Sequence, residues 1–292
     1  MERIQRIIEE YQRFFKIDLD GLTVFTEAAS GNYMFNPLIA AMSAEKVYAY
    51  IEDSNWGKRS DVRKATQVLA DAWELKNLKI VYQKSPVIIN KCDIITNSGF
   101  VRPIDRLMIK AMKPTAVVPL MYESWEFKPT DIDIEECIKN GILVMGTNEK
   151  SYFGDLFPTL GYLALKMLFD ADIEVYGSRV LILGNGPRAK NIFNVLSKLD
   201  MDVQLEKNMG DATEADAILI SDMRELNSYD IRGTQIIHIP NNCSYLGPKY
   251  VIGLFMAGLK VGEVMARCRL EGMSVDETVE YALTHSPARR FR

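Results

Sequence analysis

The 292 residues carry 35 Lys and Arg against 39 Asp and Glu, a formal charge of −4, and 48% of them are hydrophobic. That balance leaves no broad basic footprint for nucleic acid, and the apolar share is enough to bury a sizeable core. The length sits nearer two domains than one.

No apolar stretch reaches the ~18 residues of a spanning helix, and the opening "MERIQRIIEEYQRFF" is charged throughout, so neither a membrane span nor a signal peptide is expected. Within it Ile4, Ile7, Ile8, Tyr11, Phe14 and Phe15 recur at helical spacing, which predicts an amphipathic first helix. Strands and helices then alternate. "LTVFTEAASG" reads as strand and turn, "NPLIAAMSA" as a short helix, "KVYAYIEDS" as a second strand and "SDVRKATQVLADAWEL" as a helix. The strand-like runs "LKIVYQ", "CDIITNSGF", "TAVVPLM" and "GILVMGTN" follow, with "VRPIDRLMIKAMK" and "TDIDIEECIKN" reading as helices among them. Such alternation predicts an open parallel sheet covered on both faces.

A long connecting helix is expected between "GTNEK" and "VYGSR", followed by the strand–turn–helix–strand "RVLILGNGPRAKNIFNVLSKLDMDVQLEK" and the strands "ADAILISD" and "TQIIHIP". The last 45 residues read as helices without a strand, one of them opened by the capping box Ser274-Val-Asp-Glu277, and "PARRFR" reads as a solvated end. The fold expected is therefore α/β with two open parallel-sheet lobes, the second a Rossmann domain. The boundaries expected are 1–149 for the first lobe, 150–250 for the Rossmann lobe and 251–292 for helices returning to the first. A ligand cleft is expected between the lobes. Apolar faces on the terminal helices suggest a homodimer.

Gly184-x-Gly186-x-x-Ala189 follows a buried-looking strand and opens a helix, the context in which such spacing cradles a dinucleotide. Gly184 permits the tight turn, Gly186 lets backbone approach a pyrophosphate, and Ala189 allows close helix–strand packing. Glu206, 22 residues beyond Gly184, suits a ribose hydroxyl and favours NAD, while Arg188 and Lys207 leave NADP open. Asn185, Pro187, Ser221 and Asn241 complete the expected cofactor-binding set. Cys92, Cys137, Cys243 and Cys268 stand far apart with no Cys-x-x-Cys pair, so no metal site is expected, and a reducing, cytoplasmic setting is.

In this order, "DIDIEECIKNGILVMGTNE", the connecting helix and "GSRVLILGNGPRAKNIFNVLSKLDMDV" resemble the D-2-hydroxyacid dehydrogenases over roughly residues 90 to 245. The resemblance implies a two-lobed NAD(P) protein. It does not extend to that family's catalytic Arg, Glu and His: Asn241 and Asn242 stand where the arginine is expected, and the chain then turns helical. The shorter second lobe and helical return resemble methylene-tetrahydrofolate and shikimate dehydrogenases in architecture.

Candidate substrate-binding residues are therefore sought at the ends of the parallel strands, the ligand-facing edge of such sheets. They are Glu27 and Ser30 after the first strand, Asn97 and Ser98 after another, and Arg102 before Pro103, the expected grip on a carboxylate. For Arg102 the alternative is an ion pair with Asp105 or Glu123. In "PLMYESWEF", Trp125 is expected to wall off Glu123 and Glu126 and raise a carboxyl into proton-transfer range. Asn148 is a further lining candidate. Of the two histidines, His238 is the candidate acid or base, set against an ordinary hydrogen-bonded residue of an apolar strand. The function expected is an NAD(P)-dependent oxidoreductase acting on a small, polar, carboxylate-bearing metabolite. The alternatives are a non-redox dinucleotide-binding sensor or scaffold, and a nucleoside or S-adenosylmethionine-type binder built on "FTEAASG" with Glu52 and Asp53.

Overall fold

Alternating apolar runs and amphipathic segments become two sheets with helices packed against them. The structure is a computed structural model and describes residues 2–153, 159–207, 214–221, 234–239 and 247–291. The chain divides into two units, Met1–Ser151 with Gly247–Arg292, and Tyr152–Leu246.

Unit 1 runs α1 (Glu2–Phe15), β1 (Thr23–Glu27), α2 (Asn36–Ala41), β2 (Lys46–Tyr50), α3 (Arg59–Ala72), β3 (Leu78–Val81), α4 (Pro86–Ile89), β4 (Ile94–Ile95), α5 (Arg106–Ala111), β5 (Val117–Pro119), α6 (Ile134–Lys139) and β6 (Leu143–Thr147). The short α7 (Lys150–Phe153) bridges the two units' ranges, and in unit 2 come α8 (Thr159–Asp170), β7 (Arg179–Leu183), α9 (Pro187–Leu196), β8 (Asp202–Glu206), β9 (Ala217–Ile220) and β10 (Gln235–His238). The chain ends in unit 1 with α10 (Gly247–Leu270), α11 (Val275–His285) and β11 (Ala288–Arg289).

The first sheet has the order β11-β6-β5-β4-β1-β2-β3. All its pairs are parallel except β11, which runs antiparallel to β6 with Ala288 opposite Thr147. On one face Phe25, Ile95, Val118 and Val144 share a core with Ile109 of α5, Cys137 of α6 and Ile132 of the segment before α6. Against the other lies α10, close enough at Gly262 that a Cβ there would stand 2.9 Å from Ile94 and Pro119. The second sheet, β10-β9-β7-β8, is wholly parallel, with α8 and α9 supplying Leu160, Ala164, Ile192 and Leu196 to its core.

Several expectations are corrected here. β11 is a strand in a tail read as strand-free; two residues are too short to show a period of two. "PARRFR" is not merely a solvated end: Asn148 N–H donates to Pro287 O at 2.7 Å, and the Phe291 ring meets Phe127 edge-on at 4.7 Å. "VRPIDRLMIKAMK" is helical only from Arg106, because Pro103 keeps its predecessor extended and Asp105 caps the helix by accepting the Met108 N–H at 2.8 Å. In α1 Phe14 faces solvent, while Ile7, Ile8, Tyr11 and Phe15 are buried and the helix packs on α10. The apolar faces that suggested a dimer therefore meet within one chain. The Ser274–Glu277 capping box is present.

Candidate functional site

A parallel sheet opens a crevice where successive crossovers leave in opposite directions. In unit 1 that point lies between β1 and β4, since the chain goes from β1 to β2 and β3 on one side and returns for β4 on the other. The strands there are apolar until their carboxyl ends, where Thr26, Glu27, Thr96, Asn97 and Ser98 are all buried. Their hydroxyls form one network: Thr96 Oγ1 donates to Thr26 Oγ1 at 3.0 Å and lies 2.8 Å from Ser98 Oγ. Asn97 Oδ1 accepts the Met121 N–H at 2.7 Å, which fixes the amide, and its Nδ2 has no hydrogen-bond partner. Glu27 is spent beneath the loop, where it accepts the Phe100 N–H at 2.9 Å. Burial pushes its carboxyl above the ordinary range, against the pull of that N–H and of Arg102. Ser30 lies farther out and donates to Trp56 O at 3.1 Å.

Arg102 ends the same loop. Its ion-pair partner is Asp131, at 3.4 Å, and not Asp105 or Glu123. Tyr122 donates its hydroxyl to the same Asp131 oxygen at 2.8 Å, and the guanidinium carbon stands 5.9 Å from the centre of the Tyr122 ring. Arg102 Nε is buried without a hydrogen-bond partner. A hollow of about 570 Å³ opens nearby, lined among others by Pro103, Asp105, Phe127 and Asp133, but both aspartates already cap helices.

A second group gathers at the end of β6. Glu123 is buried and stands 2.8 Å from Arg289 Nη1, while its other oxygen accepts the Glu149 N–H at 3.1 Å. Glu123, which the sequence suggests as a proton carrier, is thus a buried carboxylate ion-paired to Arg289. Glu149 accepts the Tyr250 hydroxyl at 2.9 Å. Burial together with the Glu126 and Glu123 charges raises its carboxyl to about 7, the Tyr250 hydrogen bond notwithstanding. Burial also raises Glu126. The indole expected to cause this is 69% exposed, so Trp125 is not the wall. Asn148 Oδ1 lies at the edge of the group, 3.5 Å from Arg289 Nη2. Arginine and tyrosine arrive here from 166 and 101 residues away, and only the carboxyl-rich "YESWEF" and "TNE" hint at the group.

In unit 2 the switch point lies between β7 and β9, and the glycine turn stands on it. Gly184 has φ +152, and a Cβ there would meet Ser221 Oγ at 2.1 Å and Ala189 Cβ at 3.0 Å; the protein itself demands this glycine. Gly186 is different. It caps α9 with nothing within 4 Å of a built Cβ, so the space above it is open. Ser221 is buried under the turn and donates to Leu183 O at 2.9 Å, while Arg188 Nε donates to Ser221 O at 3.1 Å. Pro187 takes the first helical position, where a missing N–H costs nothing. Glu206 is exposed at the end of β8, its carbonyl accepting the Gly184 N–H at 2.9 Å. Asn185, between the two glycines, is exposed, and Asn241 lies outside the described residues. His238 is exposed at the end of the edge strand β10 and is not an interior residue of the sheet. An open helix N-terminus, a backbone without a Cβ and a neighbouring carboxylate fit a pyrophosphate-linked nucleotide. Among the described residues no cluster of His, Cys, Asp and Glu fits a metal ion, and no helix is long and apolar enough to cross a membrane.

No family model matches the chain, and no curated protein matches it in sequence. By structure it is similar to a dipicolinate synthase chain from Bacillus subtilis, at 10% identity and a TM-score of 0.50, covering 88% of this chain and 99% of that one. It is similar also to a dipicolinate synthase chain from Bacillus halodurans, at 12% identity and a TM-score of 0.46 over 87% and 99% of the two chains. A third similar structure is the 2-hydroxyacid dehydrogenase of Ketogulonicigenium vulgare, at 12% identity and a TM-score of 0.42 over 88% and 97%. At such identities the likeness is one of fold, and the fold is a two-sheet α/β architecture whose second sheet is of Rossmann type.

Proposed function

We propose that the protein is an NAD(P)-dependent oxidoreductase acting on a small, polar, carboxylate-bearing metabolite. The observation that carries the reading is the contrast between the two glycines of the turn. Gly184 is explained by Ser221 and Ala189, whereas Gly186 has no such cause inside the protein and leaves room for a ligand at the start of α9. The N-terminal turn of α9 would hold the diphosphate, and Glu206 a ribose hydroxyl, with NAD the cofactor this favours. A nicotinamide held there supplies a hydride donor or acceptor.

Arg102 is the proposed carboxylate grip, because its one ion pair is a single 3.4 Å contact and its Nε is unmet. Glu149 is the proposed proton carrier, with a carboxyl that both gives and takes a proton near neutral pH. Binding without turnover is the second reading, and the locking of Glu123 by Arg289 is the observation on its side. For the nucleoside reading built on Glu52 and Asp53, both carboxylates already have partners: Glu52 accepts the Tyr50 hydroxyl at 2.8 Å and Asp53 the Arg59 N–H at 2.8 Å.

The test is a calorimetric titration of NAD+, NADH, NADP+ and NADPH into wild-type protein and Gly186→Val, followed by a panel of hydroxy, oxo and amino acids read at 340 nm. Binding lost in the variant, with turnover of a carboxylate in the wild type, is the expected result. No binding of any dinucleotide, or equal binding by Gly186→Val, refutes the cofactor assignment. Binding with no turnover across the panel favours the second reading.

A further inference from the structure

Lys84 follows β3 and reaches across to the loop that carries Arg102. Its Nζ donates to the carbonyls of Val101 at 2.7 Å and Arg102 at 3.3 Å, with that of Pro103 at 3.5 Å, and it lies 5.2 Å from the centre of the Tyr50 ring. An ammonium has three protons, and here they face three successive carbonyls. At the loop's other end Glu27 takes the Phe100 N–H at 2.9 Å. One turn is thus held by a carboxyl at its N–H end and a cation at its carbonyl end. Neither holder comes from the loop itself. Burial lowers the pKa of Lys84, while the Glu52 and Asp105 charges oppose the shift.

What the loop presents is a pair of unmet donors. Asn97 Nδ2 and Arg102 Nε are both buried without a hydrogen-bond partner, and the Arg102 guanidinium stands 5.9 Å from the centre of the Tyr122 ring. Buried unmet donors are rare, and two on one short loop suit an acceptor of two oxygens. We propose that Lys84 is a positioning residue: by fixing the Val101–Pro103 backbone it presets Arg102 and Asn97 as one donor pair for a carboxylate. This rests on the assignment of Arg102 as the carboxylate grip. Without the clamp, the arginine must be ordered at the moment of binding, which weakens affinity by about three- to tenfold.

The experiment titrates oxalate, malonate and dipicolinate, each with and without NADH, into the full-length wild type, Lys84→Met, Lys84→Arg, Arg102→Ala and the Lys84→Met/Arg102→Ala double variant. The expected result has four parts: Arg102→Ala weakens binding of at least one probe more than Lys84→Met does while leaving it measurable; Lys84→Met weakens it about three- to tenfold; Lys84→Arg recovers part of the loss; and the double variant is no worse than Arg102→Ala. NADH affinity alone stays unchanged in all four variants. If Lys84→Met does not fold, Lys84→Gln carries the same cycle. Lys84→Met binding as tightly as wild type, or losing the same factor with Arg102 absent, overturns the positioning role and leaves Arg102 as the grip. Equal binding by Arg102→Ala and wild type, or no probe binding the wild type, overturns both.

Discussion

Replacing Glu149 by glutamine tests the second polar group without a ligand. The glutamine keeps the side chain's shape and an oxygen to accept the Tyr250 hydroxyl, 2.9 Å from the carboxylate, but it cannot ionise. The carboxyl's pKa rises from its ordinary 4.5 to about 7 on folding. At about 1.36 kcal/mol per pH unit the gap is worth about 3 kcal/mol, trimmed to about 2 by the partial solvent contact that Glu149 keeps. The sign follows from proton counting: between pH 4.5 and about 7 the folded state binds more protons than the unfolded one, so stability falls as pH rises through that window. The contribution is intact below pH 4.5 and lost above about 7. Glu149→Gln should therefore lie within about 0.5 kcal/mol of wild type at pH 5 and exceed it by about 2 kcal/mol at pH 8. Trp56, Trp73 and Trp125 all lie in unit 1, so indole fluorescence in a urea titration follows that unit alone even where the two units unfold separately. An equal effect at both pH values would refute the reasoning.

Two further variants address the other groups. Gly184→Ala drives a Cβ to 2.1 Å from Ser221 Oγ at a φ of +152, and should lower the stability of unit 2 by roughly 2–4 kcal/mol. Ser221→Ala alone should cost about 1 kcal/mol, and the double variant should recover part of the glycine's loss; calorimetric melting showing no recovery would rule out the clash as the cause. Arg289→Ala leaves Glu123, with a side chain only 4% exposed, without its cation, and should cost about 2 kcal/mol by the same fluorescence titration. Arg289→Lys should restore part of that; no recovery by the lysine would mean that the arginine acts through packing and not through its charge.

Local signals are the legible ones. The strand–helix alternation, the glycine turn and the Ser274 cap each occupy a few adjacent residues, and periodicity or turn chemistry reports them directly. The long apolar helix α10 announces itself in the same way. β4 reads as a run of nine residues because "CDIITNSGF" is apolar at its start, whereas only Ile94 and Ile95 pair and the rest builds the polar edge. Tyr250, Arg289 and Lys84 escape because each acquires its role from a partner brought in by folding. No window of sequence shows that Lys84 meets carbonyls 17 to 19 residues on, or that Arg289 crosses 166 residues to Glu123. Trp125 misleads for the opposite reason: adjacency to two glutamates says nothing about which way an indole faces.

The two switch points use opposite means to make a binding edge. In unit 2 room is made by omission, with no Cβ at Gly186 and donors supplied by backbone, so a spacing of small residues suffices to reveal it. In unit 1 the edge is built from side chains. Thr26, Glu27, Thr96, Asn97 and Ser98 sit where the strands' own Val24, Phe25, Ile94 and Ile95 show that apolar residues pack well. Burying such groups costs free energy unless each is satisfied, and the network satisfies the hydroxyls and Glu27 while leaving the Asn97 Nδ2 donor unmet. A sheet selected only for stability would gain by closing that edge with valine and isoleucine. The polar residues are therefore best explained by what they receive from outside the chain, and on the proposed function the loop from Asn97 to Pro103, more than the glycine turn, is what selects the molecule bound.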